Sequence, residues 1–165
     1  MKVFGIVGRK NSGKTHLVTR LLRLASRRGL RVSTIKHAHH SFDIDRPGKD
    51  SHLHREAGAH EVLVASAERW ALMHEHRGTP EPSLVKLLSK LAPCDLVLVE
   101  GFKREVDLRL EVYRASCGQA PLAFEDQGIL AVATDDVATF AVRSDLPCLP
   151  LDDDAAVLDY VLARA

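Results

Sequence analysis

The sequence predicts an α/β protein, a mostly parallel sheet covered by helices on both faces in three layers. Three observations carry this expectation. Short β-branched apolar runs alternate with helical stripes of leucine and alanine along the 165 residues. The runs at 2–7, 95–100 and 128–134 read as buried strands. Between the first run and the first stripe lies a glycine-rich turn, "GRKNSGKTHL" (8–17), in the order strand, loop, helix.

Each element follows in turn. "KVFGIV" (2–7) is the first strand. Residues 14–28 carry Leu17, Val18, Leu21, Leu22 and Ala25 on one helical face, and Gly29 stops the helix. "RVSTIKH" (31–37) is the second strand, followed by a polar stretch at 38–50 with Pro47 and Gly48 as turn signals. Asp50 or Ser51 is the expected cap of a short helix through Ala57, closed by Gly58. "EVLVAS" (61–66) and "RWALMH" (69–74) form a β-hairpin insertion across Ala67 and Glu68, which makes the sheet mixed. After a loop holding Gly78, Pro80 and Pro82, residues 83–91 form a helix with a stripe at Leu84, Leu87, Leu88 and Leu91. "DLVLVE" (95–100) is a strongly apolar strand ending in an acid. "LRLEVY" (108–113) alternates and reads as an edge or hairpin strand. "GILAVAT" (128–134), "LPCLPL" (146–151) and a helix over 154–163 complete one domain spanning 1–165.

Composition excludes several classes. An apolar fraction of 45% and a charged fraction of 27% are those of a globular protein. A formal net charge of +1 gives no electrostatic case for nucleic acid. No signal peptide or membrane span is expected, because the apolar run "VFGIVG" ends in the glycine-rich turn. Cys94, Cys117 and Cys148 are odd in number and lack a CxxC, which suits a reducing cytoplasm. Cys94 and Cys148 flank apolar runs and read as core thiols.

The turn at 8–15 has the spacing G-x-x-x-x-G-K-[ST] of a nucleotide phosphate loop, the P-loop, so the fold expected is that of a P-loop NTPase. Glycines let backbone N–H groups converge on a phosphate, and the helix that follows adds its positive dipole end. Gly8, Asn11, Ser12, Gly13, Lys14, Thr15 and His16 are the expected nucleotide-binding residues. Lys14 should stand exposed, with only phosphate to satisfy it, and the Thr15 hydroxyl should ligate Mg²⁺. The second element of such a site is an apolar strand ending in a carboxylate, and Glu100 supplies it as a metal or water-orienting acid. Gly101 beside it would let backbone approach the γ-phosphate. Asp135 and Asp136 follow a late strand and could read guanine N1–H and N2–H₂, or cap a helix, or be plain loop acids.

A second polar block, "TIKHAHHSFDIDRPGKDSHLH" (34–54), holds Lys36, five of the nine histidines and three aspartates. Residue types leave three readings open: a second ligand site at the mouth of the sheet, a metal site, or a solvated loop. Its candidate residues are Lys36, His37, His39, His40, Asp43, Asp45, Lys49, Asp50 and Ser51.

Taken in order, "GRKNSGKTHL", "TIKHAHHSFDIDRPGKDSHLHREAGA", "VLVASAERWALM", "CDLVLVEGFK" and "AVATDD" closely resemble the molybdopterin-guanine dinucleotide biosynthesis protein B family, MobB. The resemblance implies a GTP-binding homodimer with weak GTPase activity and Mg²⁺. Such a protein assists the guanylyltransferase that joins GMP to molybdopterin in making the molybdenum cofactor. On this resemblance Gly13, Lys14 and Thr15 take the phosphate and Mg²⁺ roles, Lys14 and Glu100 act in any hydrolysis, and Asp135 reads guanine. The 34–54 block matches the family without a settled role, with molybdopterin or an acidic partner surface as candidate ligands. Arg9 and Lys10 depart from the small or apolar residues common in the loop. Arg9 lies five places before Lys14, either as an exposed loop arginine or as a cation reaching a partner's nucleotide. The competing function is a P-loop small-molecule kinase, for which Arg104, Arg109 and Arg114 are candidate lid arginines. Lys36 and His37 end the second strand where a kinase would place an acid, and this tilts the reading away from it.

Overall fold

The computed structural model describes residues 1–38, 42–102, 105–136 and 146–165. In chain order its elements are β1 (Lys2–Val7), α1 (Lys14–Arg27), β2 (Val32–Lys36), α2 (Asp50–Glu56), β3 (Glu61–Ala65), β4 (Trp70–His74), α3 (Leu84–Leu88), β5 (Leu96–Glu100), β6 (Arg109–Tyr113), β7 (Ile129–Thr134), β8 (Cys148–Pro150) and α4 (Asp154–Arg164). Short 3₁₀ turns lie at Ala115–Cys117 and Leu122–Phe124. The chain divides into two compact units, one of Met1–His37 with Leu84–Ala165 and one of Ala38–Ser83.

The larger unit holds the parallel sheet. Among the described residues its strand order is β2-β5-β1-β6-β7-β8, and every neighbouring pair is parallel. Side chains alternate across it as the pleat demands. Phe4, Ile6, Leu96, Leu98, Leu110, Val112, Ala131 and Ala133 point to one face, where Leu17, Leu21 and Ala25 of α1 and Val157, Leu158 and Val161 of α4 cover them. On the other face Val97 and Val99 meet Leu84 of α3, and Val7 and Val132 meet Ala123. Leu21 is fully buried, and truncating such a residue to alanine costs about 2–5 kcal/mol.

Two expectations are corrected here. The hairpin does not mix the main sheet: β3 and β4 pair only with each other, antiparallel, within the smaller unit. "LRLEVY" is no edge strand, since β6 lies between β1 and β7 and all its residues are buried. The alternation misleads because the charged residues of β6 have partners inside the protein. Arg109 donates to both carboxylate oxygens of Asp126 at 2.7 and 3.0 Å. Glu111 accepts from the backbone N–H groups of Leu122 and Ala123, each at 2.8 Å. Buried charge survives only with such compensation.

In the smaller unit α2 begins after Lys49, not after Asp50 or Ser51, and its cap makes no side-chain hydrogen bond. Asp50 falls in the first turn, where its charge suits the helix dipole. Leu63, Val64, Trp70 and Leu72 of the hairpin are exposed in this chain. No helix among the described residues is long and apolar enough to cross a membrane.

Candidate functional site

The site grows from the register of three parallel strands. β1 pairs with β5 so that Ile6 stands beside Glu100, and β2 pairs with β5 so that Lys36 stands beside Glu100. The strands' carboxyl ends therefore release the glycine-rich loop, Glu100 and Lys36 at one edge, where open α/β sheets bind ligands. β1 is also the switch point: β5 and β2 lie on one side of it, and β6, β7 and β8 on the other.

The loop between β1 and α1 is held under steric constraint. Gly8 has φ +150°, and a Cβ there would stand 2.4 Å from the Val112 carbonyl oxygen and 2.7 Å from Ser12 Oγ. Asn11 takes a left-handed conformation at φ 65°. Ser12 is buried, and its hydroxyl has no hydrogen-bond partner among the described residues. Asn11, Gly13, Lys14, Thr15 and His16 line a cavity of about 310 Å³. The first turn of α1 aims N–H groups without intrahelical partners toward the same end.

Lys14 differs from expectation. It is half-buried, and its ammonium donates to the carbonyl oxygens of Gly8 at 3.0 Å and Arg9 at 2.7 Å. Two of its three donors are thus met by carbonyls of the loop itself. The Thr15 hydroxyl donates to Glu100 Oε1 at 2.8 Å. Lys36 Nζ lies 3.3 Å from Thr15 Oγ1 and 3.5 Å from Glu100 Oε1. Two hard oxygen donors thus converge with a cation beside them, a donor set that fits Mg²⁺.

Gly101 makes room for a side chain of this chain. A Cβ on Gly101, at φ +101°, would lie 2.7 Å from the Cβ of His37. His37 in turn packs its ring 4.7 Å from that of Phe102, and its backbone N–H bonds the Glu100 carbonyl at 2.8 Å. Of the second polar block, therefore, Lys36 and His37 stand at the carboxyl end of β5.

Asp135 follows β7 at a cavity of about 430 Å³, lined also by Arg20, Arg114, Thr134, Leu151 and Asp152. Its carboxylate accepts from Arg114 Nη1 at 3.1 Å. The Arg114 Nε lies 3.2 Å from where a Cβ on Gly13 would be. One guanidinium thus spans the phosphate loop and the Asp135 cavity. The sequence offered Arg114 only as a lid candidate; its place follows from β6 lying beside β1, which the reading of 108–113 as an edge or hairpin strand concealed. Arg9, the departure in the loop, bonds within its own chain to Glu125 Oε1 at 2.9 Å and to the Ala120 carbonyl at 3.3 Å.

Other residues of the second block lie in the smaller unit, where Arg55 gathers them. Its guanidinium donates to both Asp43 oxygens at 3.0 and 2.9 Å and to Glu75 at 3.0 Å, and its Nε is 3.4 Å from Asp45. Ser51 donates to Asp45 at 2.8 Å. The Asp45 N–H and the Arg55 guanidinium hold the Asp43 carboxyl below the usual aspartate range, and the acids hold Arg55 above its ordinary value. Lys49 and Asp50 are exposed. His39 and His40, with Arg104 of the candidate lid, lie outside the described residues. No group of three or more His, Cys, Asp or Glu is placed to hold a metal among the described residues.

Known proteins resemble this chain over most of its length. The family model described as molybdopterin guanine dinucleotide synthesis protein B matches residues 3–135. The molybdopterin-guanine dinucleotide biosynthesis adapter protein of Escherichia coli K12 is 38% identical over 154 residues, covering 92% of this chain and 86% of the relative. That of Haemophilus influenzae is 39% identical over 162 residues, covering 96% and 86%. The crystal structure of Bacillus subtilis MobB superposes with a TM-score of 0.77 at 25% identity, covering 99% of this chain and 98% of the other. Matched by the family model over residues 3–135 and 38–39% identical to these two relatives over most of its length, the chain belongs to the MobB family.

Proposed function

We propose that this chain is a GTP-binding adapter in the synthesis of molybdopterin guanine dinucleotide. It assists the guanylyltransferase that attaches GMP to molybdopterin and is itself at most a weak, Mg²⁺-dependent GTPase. The observation that carries this reading is the juxtaposition of Lys14, Thr15 and Glu100 at the carboxyl ends of β1 and β5. The names of the E. coli and H. influenzae relatives supply the pathway. In this reading loop amides and Lys14 hold the β- and γ-phosphates, and Thr15 with Glu100 holds Mg²⁺, which would neutralise phosphate charge. Asp135 reads the base from the neighbouring cavity.

Two features favour an adapter over a kinase. Glu100 bonds Thr15, so its carboxylate is turned to the loop. Arg109 is buried against Asp126 and Arg114 pairs with Asp135, so two of the three candidate lid arginines are already engaged. The exposed apolar side chains Leu63, Val64, Trp70 and Leu72 support a homodimer through the hairpin.

Calorimetric titration of GTP and ATP, each with and without Mg²⁺, tests the binding role. Adding the chain to a reaction of guanylyltransferase, molybdopterin and GTP tests the adapter role. Preference for GTP and faster product formation are expected. Equal binding of both nucleotides would remove the guanine reading, and an unchanged transferase rate would remove the adapter.

A further inference from the structure

Lys36 stands against both of the groups that would hold the metal. Its ammonium is 3.3 Å from Thr15 Oγ1 and 3.5 Å from Glu100 Oε1, which are themselves 2.8 Å apart. The Glu100 side chain is only 13% exposed, so its carboxylate needs a nearby cation, and among the described residues Lys36 is an ammonium that reaches it. The Lys36 side chain is 59% exposed, so its stem has room to swing away. An ammonium and a divalent ion this close repel strongly, and both cannot contact the same two oxygens.

We propose that Lys36 is a tethered cation that competes with divalent metal for the Thr15–Glu100 site, so that Lys36, and not the metal alone, sets how far nucleotide binding depends on Mg²⁺. The strand register makes the device: Lys36 is the register partner of Glu100 in β5, so the lysine is carried to the carboxylate by backbone pairing. Without metal, the ammonium keeps the carboxylate from repelling an incoming phosphate. When metal enters, the lysine is released on its flexible stem and its charge becomes available to a phosphate oxygen.

The proposal rests on the nucleotide-binding reading only for its second arm. In the first arm Mn²⁺ is titrated into nucleotide-free protein and followed by its paramagnetic resonance spectrum. Lys36→Met, which keeps the stem and removes the charge, should bind Mn²⁺ about tenfold more tightly than wild type. Lys36→Arg should behave like wild type, and adding Glu100→Gln to Lys36→Met should abolish the gain. Equal Mn²⁺ affinity in wild type and Lys36→Met, a gain that survives Glu100→Gln, or no Mn²⁺ binding to any variant overturns the proposal. In the second arm GTP is titrated with Mg²⁺ and with a chelator. Chelation should weaken binding to Lys36→Met about tenfold more than to wild type. An equal loss in both proteins overturns the proposal. Failure of wild type to bind GTP at all strikes the nucleotide reading alone, and the Mn²⁺ arm then decides this one.

Discussion

The phosphate loop and the aspartate-rich block around Asp43 are equally dense in polar side chains, yet they are satisfied in opposite ways. In the loop, Lys14 rests on carbonyls of its own turn and Thr15 on the Glu100 carboxylate, beside a cavity. In the block, Asp43, Asp45, Ser51 and Glu75 spend their hydrogen bonds on Arg55 or on one another. A ligand can exchange partners with the first arrangement because the lysine's loop-carbonyl contacts and the hydroxyl's carboxylate contact can each be replaced by a phosphate or a metal. Entering the second would break several mutually supporting ion pairs. Polar density in a sequence therefore marks a site only where its partners can be replaced.

The largest effect that separates the two regions should come from Lys14→Ala. Its phosphate contacts, at about 1.5–3 kcal/mol each, amount to a loss of GTP affinity of about 100-fold or more with the fold retained. Calorimetry and circular dichroism check both halves, and unchanged affinity would remove the loop from the site. Next, Asp135→Asn should cost GTP about 2 kcal/mol and improve binding of xanthosine triphosphate, whose altered edge suits an amide. Competition between the two nucleotides reads this directly, and equal GTP binding by both proteins returns Asp135 to its pairing with Arg114.

Groups closed on themselves should change stability and leave affinity alone. Glu111→Gln replaces an acceptor of two backbone N–H groups by one that can serve only one, at a cost of about 1–3 kcal/mol in urea unfolding. Burial pushes the Glu111 carboxyl up, so the folded state holds this proton more tightly than the unfolded one. Its contribution to stability therefore falls as pH rises from the ordinary glutamate value through the raised folded value, and the glutamine variant should lack that slope. The smallest effect belongs to Asp43, an exposed group. Its carboxyl is held low, so the stabilisation it gives is full above the ordinary aspartate value and is lost as pH falls through its folded value. Asp43→Asn should erase that acid dependence of the α2 amide resonances without altering GTP affinity. A loss of GTP affinity in that variant would break the contrast between the two regions.

Much of this was legible in the sequence because period and punctuation coincide there. The strands at 2–7, 96–100 and 129–134 are apolar but for one terminal residue each, and α1 carries an uninterrupted stripe closed by Gly29. Lys14, Thr15 and Glu100 were legible because the loop spacing fixes two of them and the strand end the third. β6 was misread because the partners of Arg109 and Glu111, namely Asp126 and the amides of Leu122 and Ala123, come later in the chain and no local pattern announces them. The pairing of Lys36 with Glu100 was hidden for the same reason: it depends on the register of two strands whose paired residues lie 64 positions apart in sequence. Arg55 escaped because its partners Asp43 and Glu75 lie 12 and 20 residues away.

The place of β1 in the sheet also bears on how the chain emerges from the ribosome. Its neighbours are β5 and β6, whose paired residues lie at 96–100 and 109–111, and Gly8 is seated against the carbonyl of Val112. The hairpin of β3 and β4 closes across only a few residues and needs nothing downstream for its own ladder. During synthesis the hairpin can therefore form early, while the glycine-rich segment, though made before it, has no strands to lie between. A nascent chain stalled before residue 113 carries the whole motif and should capture no nucleotide.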